Sequence, residues 1–355
     1  MRVLVMNWRD IENPNAGGAE IFTHELLKRL AERGHEPTLF TSAFDGCDRE
    51  EVMDGVNVVR SGGRLTVYRK AKKYYRRRFR GEFDVVVDEI NTRPFMTPKY
   101  VDEPVVALIH QLAREIWFYE TSFPVDRLGY HWLEDRWLRR YTDVPTLTVS
   151  ESTKQDLVNI HFEDVTVVPQ GLSFEPVDEL PEKADVPTFS FVGRMNSAKR
   201  PDHAVKAFEY IKRRFSDAKL HMVGDGELLD DLRQEADEGV TIHGYAPEAE
   251  KLEMMKRSHA LLVPSVREGW GLVVTEAAAM GTPAVGYDVP GLRDSIVDGR
   301  TGLLSASDPG SLAASAISLF DDYDTYAKNA LENAREYDWE ATTDKVEHQL
   351  REVVR

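Results

Sequence analysis

Short apolar runs alternate along this chain with stretches of helical spacing. Residues 2–7 read as a buried strand. Residues 19–33 place Ile21, Leu26, Leu27 and Leu30 on one helical face, and Gly34 follows as a stop signal. Residues 37–41, 83–88, 105–110 and 146–150 repeat the strand signature. Strands alternating with helices predict a parallel sheet covered on both faces. The pattern breaks at 169–187, where Pro169, Gly171, Pro176, Pro181 and Pro187 crowd a polar, acidic segment that reads as a linker. It then restarts. Strands are expected at 189–192, 219–223, 241–243, 260–264 and 284–286. Helices are expected at 201–214, 227–238, 272–280, 311–320, 323–336 and 339–354. Gly281 and Pro283 suit the end of the helix 272–280. The predicted organisation is α/β: one doubly wound domain over 1–170, a linker over 171–187, a second domain over 188–336 and a final helix over 337–355. Two such halves facing each other would put ligands in a cleft at the carboxyl ends of their strands.

Composition narrows the class. The 355 residues suit two domains, and 42% hydrophobic with 30% charged residues excludes a disordered chain. Cys47 is the only cysteine, which excludes an internal disulfide or a cysteine zinc cluster. No apolar run approaches the ~20 residues of a membrane span, and no basic-apolar leader precedes the first strand. A cytoplasmic protein is expected. Acids outnumber bases 61 to 45, for a net charge of −16. Only 15 of the bases are lysine. Such a surface is expected of a protein from a high-salt cytoplasm, where salt screens the repulsion, or of an ordinary acidic enzyme. It argues against nucleic acid as the main partner.

Four segments carry candidate chemistry. The first runs from Glu268 through Gly269, Trp270 and Gly271 to Leu272, Val273 and Glu276, between a strand and a helix start. Free helix-start N–H groups suit a phosphate, and the glycines allow close approach. A carboxylate beside a phosphate would repel it, so the two glutamates fit sugar or ribose hydroxyls. Glu276 could equally be a first-turn glutamate favoured by the helix dipole. The second is Gly193-Arg194, with Lys199, Arg200 and Pro201 following. A guanidinium fork and an ammonium five residues apart suit a diphosphate. The third is Gly17-Gly18-Ala19-Glu20 after the first strand, a phosphate-approach position that matches neither the dinucleotide fingerprint nor the P-loop. The fourth is His110, at the end of a strand, able to bond a hydroxyl or move a proton. Gly224-Asp225-Gly226 is a weaker signal that reads equally as a tight turn.

In this order the motifs resemble the retaining glycosyltransferases of family 4, which have the GT-B fold of two Rossmann-like domains facing each other across a cleft. The resemblance spans nearly the whole chain and is clearest over 189–305. It implies that Arg194 and Lys199 bind the diphosphate of a nucleotide-sugar donor. Glu276 would bind ribose hydroxyls, Glu268 the transferred sugar, and the backbone around Gly271, Leu272 and Val273 the phosphates. Gly193 opens the Arg194 loop. Gly17 and Gly18 would close on the diphosphate from the other domain, and His110 would contact the donor sugar. Gly224 and His243 would line the base pocket. Arg194, Lys199, Glu268 and His110 would be the catalytic set. The leaving phosphate would take the acceptor's proton on the same face, so no protein nucleophile, metal or cofactor is expected.

The acceptor is expected to be a glycan or lipid-linked molecule of cell-surface assembly. A soluble small acceptor and a non-catalytic sugar- or nucleotide-binding protein are the alternatives. Residues 64–80 hold nine bases and no acid. Tyr68, Ala71, Tyr75 and Phe79 recur there at helical spacing, so this basic helix either lies on an anionic membrane or packs on the sheet. Residues 111–141 are rich in aromatics that could wall an acceptor groove or pack helices. Glu115 and Asp88 are candidate acceptor-site residues, with Glu89 and Asn91 in the same class.

Overall fold

The computed structural model describes residues 1–355. They form two compact units: 1–117 with 123–173 and 338–355, and 118–122 with 174–337. Residues 118–122 fall inside the expected first domain, 1–170, but depart from it. They group with the second unit, where the Tyr119 hydroxyl accepts from Arg200 at 2.7 Å.

The first unit holds strands β1 (Arg2–Met6), β2 (Glu36–Thr41), β3 (Glu50–Met53), β4 (Val56–Arg60), β5 (Val85–Ile90), β6 (Val105–Ile109), β7 (Thr146–Thr148) and β8 (Val165–Val167). Their order is β3-β4-β2-β1-β5-β6-β7-β8, so the winding reverses between β1 and β5. All pairs are parallel except β3 with β4. That hairpin turns at Asp54-Gly55, where φ is +46° and +81°. Asp-Gly is a strong hairpin signal, but the polar β3 lacks the apolar run that would reveal it.

The second unit holds β9 (Thr188–Val192), β10 (Lys219–Val223), β11 (Val240–Gly244), β12 (Ala260–Val263), β13 (Ala284–Tyr287) and β14 (Gly302–Ser305). The order is β11-β10-β9-β12-β13-β14, with the reversal between β9 and β12. Doubly wound sheets bind ligands at such reversals, beyond the strands' carboxyl ends. The Arg194–Lys199 loop follows β9 and the Glu268–Gly271 loop follows β12.

The segment 174–187 packs on the second unit. The Val177 N–H donates to the Ala279 carbonyl, and Lys183 Nζ donates to the Lys256 carbonyl and Thr282 Oγ1. Lys183 has no carboxylate partner there, and burial lowers it to about 7.

The apolar face of the basic segment packs in the core of the first unit. Val67–Tyr74 is an α-helix that continues as a π-helical turn, Tyr75–Phe79. Val67, Ala71, Tyr75 and Phe79 are buried in the first unit's core against Leu4, Met6, Phe40 and Val86. Its apolar face is therefore committed to the sheet and does not lie on a membrane. No helix is long and apolar enough to cross one.

The last helix, Trp339–Val354, belongs to the first unit and packs on the helix Gly18–Glu32. Trp339 is fully buried, 5.4 Å from Phe22 between ring centroids. Gly171 makes room for it, since a Cβ there would lie 2.6 Å from Trp339 Cγ. Arg33 binds Asp344 and Glu347, which also meets His35 and Arg351. Chiefly through Arg351, these partners lower Glu347 to about 2. A carboxyl lowered on folding stabilises above its ordinary value and loses that contribution as pH falls toward the folded one. Resistance to thermal unfolding should therefore fall as pH drops from 4.5 toward 2, and Glu347→Gln should flatten that part of the curve. Equal slopes in the two proteins would exclude this network as an acid-sensitive tie.

Candidate active site

In the second unit, β9 ends at Val192 and the chain enters the Gly193–Arg200 loop. Gly193 N–H donates to the Val223 carbonyl, and Met195 N–H to the Asp225 carbonyl. The 224–226 turn lies against this loop backbone to backbone. A Cβ on Gly224 would sit 1.8 Å from the Gly193 oxygen, and one on Gly226 would sit 2.5 Å from the Met195 oxygen. Both glycines hold positive φ. The Gly-x-Gly thus shapes the loop that presents Arg194. Arg194 itself is exposed and makes no side-chain hydrogen bond or ion pair. Arg200 sits at φ +50°, which turns its guanidinium to Tyr119.

Lys199 Nζ forms an ion pair with Glu268 Oε1, and Ser265 Oγ donates to the same oxygen at 2.7 Å. The loops are tied again where Val266 N–H donates to the Ala198 carbonyl at 2.9 Å. Glu268 N–H donates to the Pro290 carbonyl. A Cβ on Gly291 would reach 2.2 Å from the Glu268 oxygen. Gly271 takes φ +90° at the start of the helix Leu272–Ala279, so Leu272 and Val273 are first-turn residues whose N–H groups lack intrahelical acceptors.

Glu276 lies on that helix, almost fully buried, and burial raises its carboxyl above the ordinary range. Lys251 opposes the shift, donating from Nζ to Glu276 Oε2 at 2.8 Å. Sequence reasoning missed Lys251, which lies 25 residues upstream on the polar face of the helix Glu248–Arg257. His243 Nε2 meets His221 Nδ1 at 3.0 Å on neighbouring strands.

In the first unit, His110 follows β6 and is nearly buried. Its Nε2 lies 3.1 Å from Glu89 Oε1, and Thr23 Oγ1 donates to Glu89 Oε2 at 2.6 Å. Glu89 is therefore placed to orient His110. The Gly17 amide donates to Glu20 Oε2 at 2.7 Å and is not free for a ligand. Glu20 also accepts from Arg9 Nε at 3.0 Å, and burial raises its carboxyl. Gly18 begins the helix in open space.

Asp88 has another role than the one expected. Successive residues of β5 point to opposite faces. Asp88 lies inside the fold, where Tyr141, Thr97 Oγ1 and the amides of Phe95 and Thr97 all donate to it. A fully buried carboxylate with these partners is scaffolding for the loop 91–97, not an acceptor contact. Glu115 is half-buried on the short turn Arg114–Ile116. The aromatic stretch divides: Trp117 and Tyr141 are buried, whereas Phe123 and Trp132 are 77% and 61% exposed.

A family model described as Glycosyltransferase Family 4 matches residues 16–175, and one described as Glycosyl transferases group 1 matches 175–337. The chain is a family 4 glycosyltransferase. A glycogen synthase of Mycobacterium tuberculosis is 26% identical over 364 residues, covering 91% of this glycosyltransferase and 86% of its own length. A D-inositol 3-phosphate glycosyltransferase of Corynebacterium aurimucosum is 24% identical, covering 98% and 94%. The solved structure of a sucrose-phosphate synthase from Thermosynechococcus elongatus superposes with a TM-score of 0.78 at 18% identity, covering 99% and 98%. The two Rossmann-like units are those of the GT-B fold.

The Lys251–Glu276 pair yields a stability prediction. Lys251→Met leaves a buried carboxylate without its counter-charge and should cost about 3 kcal/mol. Adding Glu276→Gln should recover much of that loss in a urea melt. A double variant no more stable than the single one would contradict the pairing.

Proposed function

We propose that this glycosyltransferase moves a hexose from a UDP- or GDP-linked donor, with retention at the anomeric carbon and without a metal or cofactor. The observation that carries this reading is the convergence of Arg194, Lys199, Glu268 and the Leu272 helix start on two loops beyond β9 and β12. Lys199 trades Glu268 for the donor diphosphate, which frees Glu268 to accept from sugar hydroxyls. Arg194 supplies the second cation. Glu276, steadied by Lys251, accepts from the ribose. Gly224 and His243 border the base.

The bond from the anomeric carbon to the phosphate oxygen breaks as the acceptor oxygen bonds on the same face. The acceptor's proton passes to the departing phosphate. Negative charge gathers on the diphosphate, so the cations and the helix start stabilise the transition state more than the ground state. Arg194→Ala and Lys199→Ala should each lower donor turnover, read as nucleoside diphosphate release, by about 10²–10³-fold with circular dichroism unchanged. Full activity in either variant would refute the phosphate assignment.

The acceptor belongs to cell-surface glycan assembly and is a glycan or lipid-linked molecule. Exposed Arg69, Lys70, Lys72, Lys73, Arg76 and Arg77 carry no ion pair, and they support peripheral contact with an anionic membrane by charge alone. The acid-rich, lysine-poor composition supports a high-salt cytoplasm as the setting. A soluble small acceptor is the second reading, favoured by the burial of Tyr75 and Phe79, which removes the aromatic anchors. Flotation with phosphatidylglycerol vesicles separates the two. Membrane contact predicts binding that falls as KCl is raised; no binding at any salt favours the soluble acceptor.

A further inference from the structure

We propose that Lys251 is a positioning residue of the nucleotide site: it acts through Glu276, keeping that carboxyl a pure hydrogen-bond acceptor for both hydroxyls of a ribose. This deepens the transferase reading and rests on Glu276 being the ribose contact. Glu276 is the one ionisable residue on the helix Leu272–Ala279, whose other buried residues are Val274, Thr275 and three alanines. It stands one helical turn after Leu272, at the helix start with its unpaired N–H groups. Its side chain is only 6% exposed, and Lys251 Nζ donates to its Oε2 at 2.8 Å. Glu276 Oε1 accepts from no residue of the chain, and Lys251 makes no other ion pair.

The pair is not needed to hold its two helices together. Thr282 Oγ1, just beyond the end of Leu272–Ala279, donates to the Met255 carbonyl at 2.6 Å, and Lys183 Nζ bridges Thr282 Oγ1 and the Lys256 carbonyl. Met255, one turn after Lys251 on the helix Glu248–Arg257, is fully buried. Two apolar side chains of similar size would seal such a contact at least as well as buried ions do. Buried charges here therefore point to a use for the carboxylate.

An ionised carboxylate only accepts hydrogen bonds, whereas a protonated one commits an oxygen to its own O–H. A ribose diol presents two O–H donors, so it matches the ionised form. Burial favours the neutral form of Glu276, Lys251 opposes that, and Glu248, three residues before Lys251, adds to it. The other helices packed on Leu272–Ala279 are Leu292–Ser295 and Tyr323–Ala334. They bring Arg293, Asp294, Asp324, Lys328 and Glu332, and the adjoining strands Ala260–Val263 and Ala284–Tyr287 add only the Tyr287 phenol. None of these acts on the Glu276 carboxyl. Lys251 is thus the one cation that keeps it ionised. Without that cation Glu276 takes up a proton in the neutral range, and the diol loses one of its two bonds.

The test is calorimetry of UDP, GDP and their 2′-deoxy forms between about pH 6.5 and about pH 9. It is run on the wild type, Lys251→Met, Lys251→Arg, Glu276→Gln and Lys251→Met/Glu276→Gln. Comparing variant with wild type at each pH cancels the titration of the diphosphate itself. Lys251→Met should bind the ribonucleotide about tenfold more weakly at the acid end and approach the wild type at the alkaline end, where Glu276 loses its proton. Lys251→Arg should recover most of the binding. The deoxy forms, with one hydroxyl, should bind Lys251→Met and the wild type alike. The double variant should match Glu276→Gln at every pH, since Lys251 acts only through the carboxylate, and it carries the test if Lys251→Met does not fold. No deficit in Lys251→Met, a deficit that is the same at all pH values, or a double variant weaker than Glu276→Gln would overturn the proposal. A wild type that binds neither nucleotide, or binds the ribose and deoxyribose forms alike, would instead refute the ribose reading on which the proposal rests.

Discussion

The ion pair between Lys199 and Glu268 joins the two loops on which the chemistry of the second unit rests. Each loop follows a strand at the sheet's reversal. The pair, the Val266–Ala198 backbone bond and the glycines at 224, 226 and 291 fix them together. A half-buried ammonium and carboxylate are costly to separate unless new partners appear together. A nucleotide-sugar offers both: diphosphate oxygens for Lys199 and hydroxyl donors for Glu268. The same contact that assembles the loops can therefore select for a donor carrying both groups.

Acidic residues inside the first unit work differently. Glu20, Asp88, Glu89 and Glu134 are all buried, and each collects N–H or O–H donors from a loop beyond a strand end. Glu20 holds the Gly17 amide, Asp88 the loop 91–97, Glu89 the His110 ring and Glu134 the amides of Ala113 and Arg114. Buried carboxylates without such bonds would be expelled or protonated. They serve here as anchors that shape loops whose exposed arginines and aromatics face solvent.

Much of the fold was legible because buried parallel strands are continuous apolar runs, as at Arg2–Met6, Val105–Ile109 and Phe189–Val192 within Thr188–Val192. The hairpin Glu50–Arg60 was not, since its outer strand is polar. The motif loops could be placed from their glycines and charges. Partnerships across long separations could not: Lys251 with Glu276, Glu89 with His110 and Tyr141 with Asp88 are set by tertiary folding alone. The basic segment shows the same limit. Its helical spacing of Ala71, Tyr75 and Phe79 marks an apolar face, and only the packed core shows that the sheet covers it.

The central claim is that Lys199 exchanges Glu268 for a diphosphate. Calorimetric titration of UDP and GDP into Glu268→Gln, beside the wild type, tests it most directly. Without its carboxylate competitor, Lys199 should bind the bare nucleoside diphosphate more tightly, and the nucleotide that responds identifies the base. Unchanged affinity for both nucleotides in Glu268→Gln would contradict the exchange.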